Sequence, residues 1–168
     1  MSGARVFLDG DKALLIDRKL RRYLLTLASG GEFHTHAGFV PHEEILGRPE
    51  GVTVTSSAGA RYMAVRPTLS DFVLKMPRGA QVVYPKDLGA ILLLADVFPG
   101  ARVLEAGVGS GALSMTLLRA GAEVIGYELR PDFAERARAN VAGFGGQGAL
   151  DRFHVTIRDV YEGIEDTD

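Results

Sequence analysis

With 168 residues, 46% hydrophobic and 24% charged, the chain suits one or two folded domains and is too apolar for a disordered protein. It contains no cysteine, which excludes a disulfide framework and thiolate chemistry and fits a cytoplasmic setting. The net charge of −2 hides an asymmetry: residues 1–80 carry eleven Lys/Arg against eight Asp/Glu, and residues 81–168 carry eight against thirteen. The mildly basic first half is compatible with a nucleic-acid partner.

The first half reads as short strands between turns. Val6-Phe7-Leu8 runs into Asp9-Gly10, which predicts a hairpin with Ala13-Leu14-Leu15-Ile16. Strands are expected over 21–27 and 32–36, a helical turn from Pro41 to Leu46, and a second hairpin from 51–56 and 61–65 around Gly59. Many short strands at even spacing predict a small β-barrel or sandwich. A helix over 67–76 follows, and Pro77-Arg78-Gly79 sets the expected boundary, giving an N-terminal β domain at 1–76 and a second domain at 77–168.

Beyond that break strands and helices alternate. Asp87 is expected to cap a helix over 88–97, ended by Pro99-Gly100. This apolar run is broken by Asp96 and is too short to cross a bilayer, and the N-terminus lacks a signal-peptide pattern. Strand 102–106, helix 112–119, strand 123–127, helix 132–143 and strand 153–158 complete the pattern of a parallel, doubly wound α/β sheet. Only three parallel strands are legible, so the sheet is expected to lack the strands beyond its first one.

The chemistry concentrates between the first two of these strands. Gly107-Val108-Gly109-Ser110-Gly111 leaves bare backbone at a strand-to-helix turn, and the amides opening the next helix can bind polar or anionic groups. Glu128, closing the next strand, can accept from two ribose hydroxyls. Gly107-x-Gly109-x-x-Ala112 also satisfies the relaxed dinucleotide fingerprint, so the loop by itself leaves two cofactors open. Glu105 separates them: a carboxylate beside the crevice repels a pyrophosphate but attracts S-adenosylmethionine, which carries a sulfonium and an ammonium. Asp159, near the end of the third strand, offers an acceptor for an adenine amino group.

The segment Glu105-Ala106-Gly107-Val108-Gly109-Ser110-Gly111-Ala112-Leu113 resembles motif I of the tRNA adenine-N1 methyltransferases of the TrmI type, in an actinobacterial flavour. The resemblance continues through Gln81-Val82-Val83-Tyr84-Pro85-Lys86-Asp87, Asp96-Val97-Phe98-Pro99-Gly100, Gly31-Glu32-Phe33-His34-Thr35-His36 and Thr55-Ser56-Ser57-Ala58-Gly59-Ala60, covering nearly the whole chain. It implies a cytoplasmic homotetramer that forms 1-methyladenosine in the T-loop of tRNA, with a small β domain ahead of a Rossmann-like, class I methyltransferase domain. It further implies that Gly107, Gly109, Ser110, Gly111, Ala112 and Leu113 line S-adenosylmethionine, that Glu128 holds the ribose and Asp159 the adenine, and that Tyr84 lies near the methyl group and target base. The family's catalytic aspartate sits in an Asp-x-x-x-Pro-Trp motif on the fourth strand, whereas this sequence has no tryptophan. Residues 77–168 therefore correspond to the first half of the catalytic domain. The chain by itself is expected to be catalytically inactive, to bind S-adenosylmethionine poorly, and to associate through the open edge of strand 102–106.

Other readings stay open on the residues alone: a methyltransferase of another substrate, a nicotinamide oxidoreductase, and a non-catalytic tRNA-binding or assembly module. His34 and His36 share a strand face without a third ligand nearby, so no metal site is expected. Arg18-Lys19-Leu20-Arg21-Arg22 reads equally as a nucleic-acid patch and as a solvated hairpin, and Arg136 and Arg138 are expected to face solvent.

Overall fold

The computed structural model describes residues 5–79 and 81–164, which divide into two compact units at Thr68/Leu69. The division falls one helix earlier than the Pro77 break, because the helix at Leu69–Lys75 packs with the helices of the second unit.

In the first unit, strands β1 (Lys12–Asp17), β2 (Arg22–Thr26), β5 (Val52–Thr55) and β6 (Arg61–Val65) form an antiparallel sheet in the order β2-β1-β6-β5. β3 (Glu32–Thr35) and β4 (Gly38–Pro41) form a separate hairpin, followed by a 3-10 turn at His42–Glu44. The expected barrel or sandwich is here an open four-stranded sheet with a separate hairpin, and period-two burial sets its core face: in β5 the valines 52 and 54 are buried and the threonines exposed. Phe7, Leu15, Leu27, Val40, Ile45 and Tyr62 meet in one core, so hairpin and sheet share an interior. Tyr62 meets Tyr23 and Phe33 edge-on, and those two rings are tilted against each other, with centroids 5.3–6.1 Å apart.

One expectation fails here. Residues 6–8 do not pair with β1; Val6 makes a lone bridge to Pro49, and Gly10 N donates to Leu27 O at 2.8 Å. Asp9-Gly10 is a turn, but both edges of β1 are already taken, by β2 and β6. The β1–β2 hairpin instead turns where Asp17 accepts from Lys19 N (2.8 Å), Arg21 N (2.9 Å) and Arg21 Nε (2.6 Å).

The second unit is a βαβαβ arrangement. β7 (Arg102–Ala106), β8 (Glu123–Glu128) and β9 (Phe153–Ile157) run parallel in the order β7-β8-β9. α1 (Leu69–Lys75) and α2 (Pro85–Leu94) precede the sheet; α3 (Ala112–Arg119) and α4 (Pro131–Gly145) form its crossovers, and a short α5 (Gln147–Leu150) leads into β9. α2 begins at Pro85, with Tyr84 at the N-cap position, so Asp87 lies inside the first turn and does not cap it. Proline at the first helical position carries no orphan N–H and is pre-set in φ.

Among the described residues β7 is an edge strand. Glu105 points toward the helices and is buried, whereas Leu104 is 44% exposed on the other face. Leu93 and Leu94 on α2, and Phe98 after it, are also exposed. No described helix is long and apolar enough to cross a membrane.

Candidate cofactor-binding site

β7 turns into α3 through a backbone that only glycine adopts easily. Gly107, Gly109 and Gly111 have φ of 80, 57 and 81°. At Gly111 a Cβ would also crowd Ala137 at 3.3 Å, so this glycine lets the loop rest on α4. At Gly107 and Gly109 a Cβ would meet nothing within 4 Å, leaving bare backbone over open space. That space is a cavity of about 200 Å³ lined by the loop, Glu105, Ala112, Leu113 and residues 81–83. No side chain caps α3, so its first amides stay available.

Two carboxylates flank the loop and differ in character. Glu128 ends β8; its Oε2 accepts from Gly109 N (2.8 Å) and its Oε1 from Arg130 N (3.0 Å). These two amides fix the carboxylate and leave further lone pairs on both oxygens for two donors of a ligand. Glu105 is buried among helix side chains with Ser114 Oγ as donor, 2.7 Å from its Oε2. Burial pushes its carboxyl up to about 7; the Ser114 hydrogen bond opposes that and the charge of Glu128 adds to it. Among the described residues no cation pairs with Glu105, so a cationic ligand group would relieve it.

Ser110 Oγ is buried and has no hydrogen-bond partner among the described residues. A buried hydroxyl without a partner at a cavity wall points to a group supplied from outside. Taken together, the donor and acceptor set asks for a cation near Glu105, an anionic or polar group at the α3 amides, and paired hydroxyls at Glu128. S-adenosylmethionine, with its ammonium, sulfonium, carboxylate and ribose, fits that set.

Of the sequence-predicted residues, Glu105, Gly107, Gly109, Ser110, Ala112 and Leu113 line one cavity; Gly111 packs behind it and Glu128 is bonded to its rim. Tyr84 and Asp159 are not in that lining. Tyr84 follows the lining residues 81–83 and is 44% exposed. Asp159 lies beyond β9, where its Oδ1 accepts from Tyr161 N at 3.0 Å and caps a 3-10 turn.

Sequence reasoning passed over Ser114 and Asn140, both buried. Each is a polar residue within the apolar stripe of its helix, a signal that could have flagged them. It also placed Arg136 in solvent; the structure half-buries it, with its Nε buried and unpartnered among the described residues, while Arg138 donates to Val155 O. A larger cavity, about 460 Å³, lies between α3, α4 and α5 around Met115 and Phe144, but the Arg152 guanidinium beside it is spent on the carbonyls of Leu118 and Ala122. Among the described residues no cluster of three or more metal-ligating side chains occurs.

Residues 6–54 match the family described as TrmI-like N-terminal, and residues 61–167 match the tRNA methyltransferase complex GCD14 subunit family. A tRNA (adenine(58)-N(1))-methyltransferase TrmI of Thermus thermophilus is 46% identical over 145 residues, which is 84% of this chain and 56% of that protein. The chain belongs to the TrmI/GCD14 family of tRNA methyltransferases. A Methanocaldococcus jannaschii relative, a tRNA (adenine(57)-N(1)/adenine(58)-N(1))-methyltransferase TrmI, is 39% identical over 79% of this chain and 46% of its own length. This family member thus spans about half the length of the curated relatives it matches.

Solved structures agree on the fold. A SAM-dependent O-methyltransferase of Thermotoga maritima superposes with a TM-score of 0.89 at 33% identity, covering 97% of this chain and 61% of that one. The tRNA (m1A58) methyltransferase TrmI of Aquifex aeolicus gives 0.79 at 28% identity, covering 95% and 62%. The second unit therefore has the Rossmann-like fold of these methyltransferases, and the expected family and α/β fold class hold.

Proposed function

We propose that the chain is the N-terminal and cofactor-binding part of an S-adenosylmethionine-dependent enzyme that methylates N1 of an adenine in the T-loop of tRNA. The observation that carries the proposal is Glu105, a buried carboxylate beside a glycine loop with no cation beside it among the described residues. A nicotinamide dinucleotide would set its pyrophosphate against that carboxylate; S-adenosylmethionine brings positive charge to it. When bound, the cofactor supplies an electrophilic methyl carbon on a sulfonium sulfur.

In this reading Glu105 holds the cationic end, the α3 amides and Ser110 hold polar groups of the amino-acid part, and Glu128 orients the ribose. Asp159 reads the adenine and Tyr84 faces the methyl group and target base. Adenine N1 already bears a lone pair, so the chemistry needs alignment and exclusion of water more than a strong base. Glu105, the α3 amides, Ser110 and Glu128 would hold the cofactor so that its sulfonium would supply the methyl group to that nitrogen.

The first unit supports an RNA partner: Arg18, Lys19 and Arg61 are exposed around one shallow cavity beside the β1–β2 turn, with Arg21 neutralised by Asp17. A homotetramer in the cytoplasm belongs to the same reading.

The test is calorimetry and product analysis on the full-length protein. S-adenosylmethionine and S-adenosylhomocysteine should bind and NAD should not. Unmodified tRNA and labelled cofactor should yield 1-methyladenosine in the T-loop, seen by nuclease digestion and mass spectrometry. NAD binding without S-adenosylmethionine binding overturns the cofactor; label elsewhere in tRNA, or on protein only, overturns the substrate.

A further inference from the structure

α4 carries Phe133, Ala137 and Asn140 at positions that recur on one face of a helix. Each touches a wall of the candidate cofactor cavity or the chain leading to it. Ala137 lies where Gly111 of the glycine loop packs down. Phe133 lies under Gly79, where an added Cβ would stand 2.8 Å from the ring, and Arg136 abuts the same glycine. Asn140, 5% exposed, does both: its Nδ2 donates to Ser110 O in the glycine loop and to Pro77 O in the segment leading to α2, each at 3.0 Å. One amide group thereby ties together two stretches more than thirty residues apart in sequence that flank the same cavity.

We propose that Asn140 is a positioning residue that sets the distance between the two walls of the cofactor cavity, the glycine loop and the chain before α2. Its functional consequence rests on the cofactor reading above; the clip itself does not. The Asn140 bond fixes the carbonyl of Ser110, as Glu128 fixes the amide of Gly109 before it, in a loop where the Ser110 hydroxyl has no partner among the described residues. Holding it fixes where the Ser110 hydroxyl and the amides at the start of α3 present themselves. The bond to Pro77 O anchors the chain a few residues ahead of the lining residues 81–83. Pre-setting both walls removes an ordering cost from ligand binding.

The test compares wild type with Asn140→Asp, which keeps shape but loses both donors, and Asn140→Leu, which is apolar and of similar bulk. In the 168-residue chain, amide exchange at Gly109 and Gly111 and tryptic cleavage after the exposed Arg78 report the two walls separately. Both should accelerate together, by about tenfold, the scale of losing one to two buried hydrogen bonds, while exchange in the β1–β6 sheet stays unchanged. In the full-length protein S-adenosylhomocysteine should bind about tenfold more weakly to the Asp variant at a temperature where it remains fully folded. Unchanged exchange and cleavage overturn the proposal, as does a loss of affinity that only tracks the fraction unfolded. If wild type fails to bind S-adenosylhomocysteine, the cofactor reading falls, and exchange with proteolysis still decides the clip.

Discussion

The two units treat their buried polar groups in opposite ways. In the β unit every buried polar side chain among the described residues is answered from within: Asp17 takes two amides and a guanidinium, His42 Nδ1 accepts from Ala28 N, and Ser56 Oγ accepts from Ala60 N while donating to Ala37 O. In the α/β unit Glu105 has one hydroxyl and no cation, and Ser110 Oγ has no partner among the described residues. Closed polarity marks a scaffold, and open polarity around a glycine loop marks a place for a ligand.

Substitutions on either side of that contrast should part along it. Glu128→Ala, in the full-length protein, should cost about 1–3 kcal/mol of S-adenosylmethionine affinity by removing the proposed ribose acceptor and freeing the Gly109 and Arg130 amides; calorimetry checks it, and an unchanged dissociation constant would remove Glu128 from the site. Ser56→Ala should lower stability by about 1–2 kcal/mol in urea or heat, since it strands a backbone N–H and a carbonyl, and should leave cofactor affinity alone.

Glu105→Gln should act in the opposite direction on stability. The folded carboxyl is pushed up to about 7 from the usual 4.5, so between those pH values the folded state binds more protons than the unfolded one. Stability from this group is therefore present below the unfolded value and is lost as pH rises through 7. The amide variant avoids that loss: its melting temperature should match wild type near pH 5 and exceed it by a few degrees near pH 8, while cofactor affinity falls. Smallest is Ser110→Ala, which removes a hydroxyl without a partner. Its stability should shift by less than about 0.5 kcal/mol, with affinity reduced by about 1 kcal/mol if that hydroxyl serves the ligand.

Most of the frame was legible in the residues, for a local reason. Positive-φ glycines, the apolar periods of α3 and α4, and the parallel strands are written within short windows, so β7 and α3 fall where the sequence puts them. What failed needed distant partners. Asp9-Gly10 carries a hairpin signal, but β2 and β6 occupy both edges of β1. The site was half legible: Gly107, Gly109 and Glu105 follow from motif chemistry. Ser114 and Asn140 act through bonds to residues nine and thirty or more positions away, which no local window shows.

The unusual protonation of Glu105 reaches beyond the cavity that holds it. A carboxyl pushed up to about 7 is partly protonated at neutral pH, so seating a positive charge beside it would expel protons as the ligand binds. On the proposed reading, cofactor capture would then release acid. The heat measured on binding would depend on the buffer that takes up the proton, with Tris and phosphate giving different apparent enthalpies for the same association. The spent cofactor, having lost its sulfonium charge, would call for less of that release. Proton uptake by Glu105 would thus favour its departure over that of the reactive form.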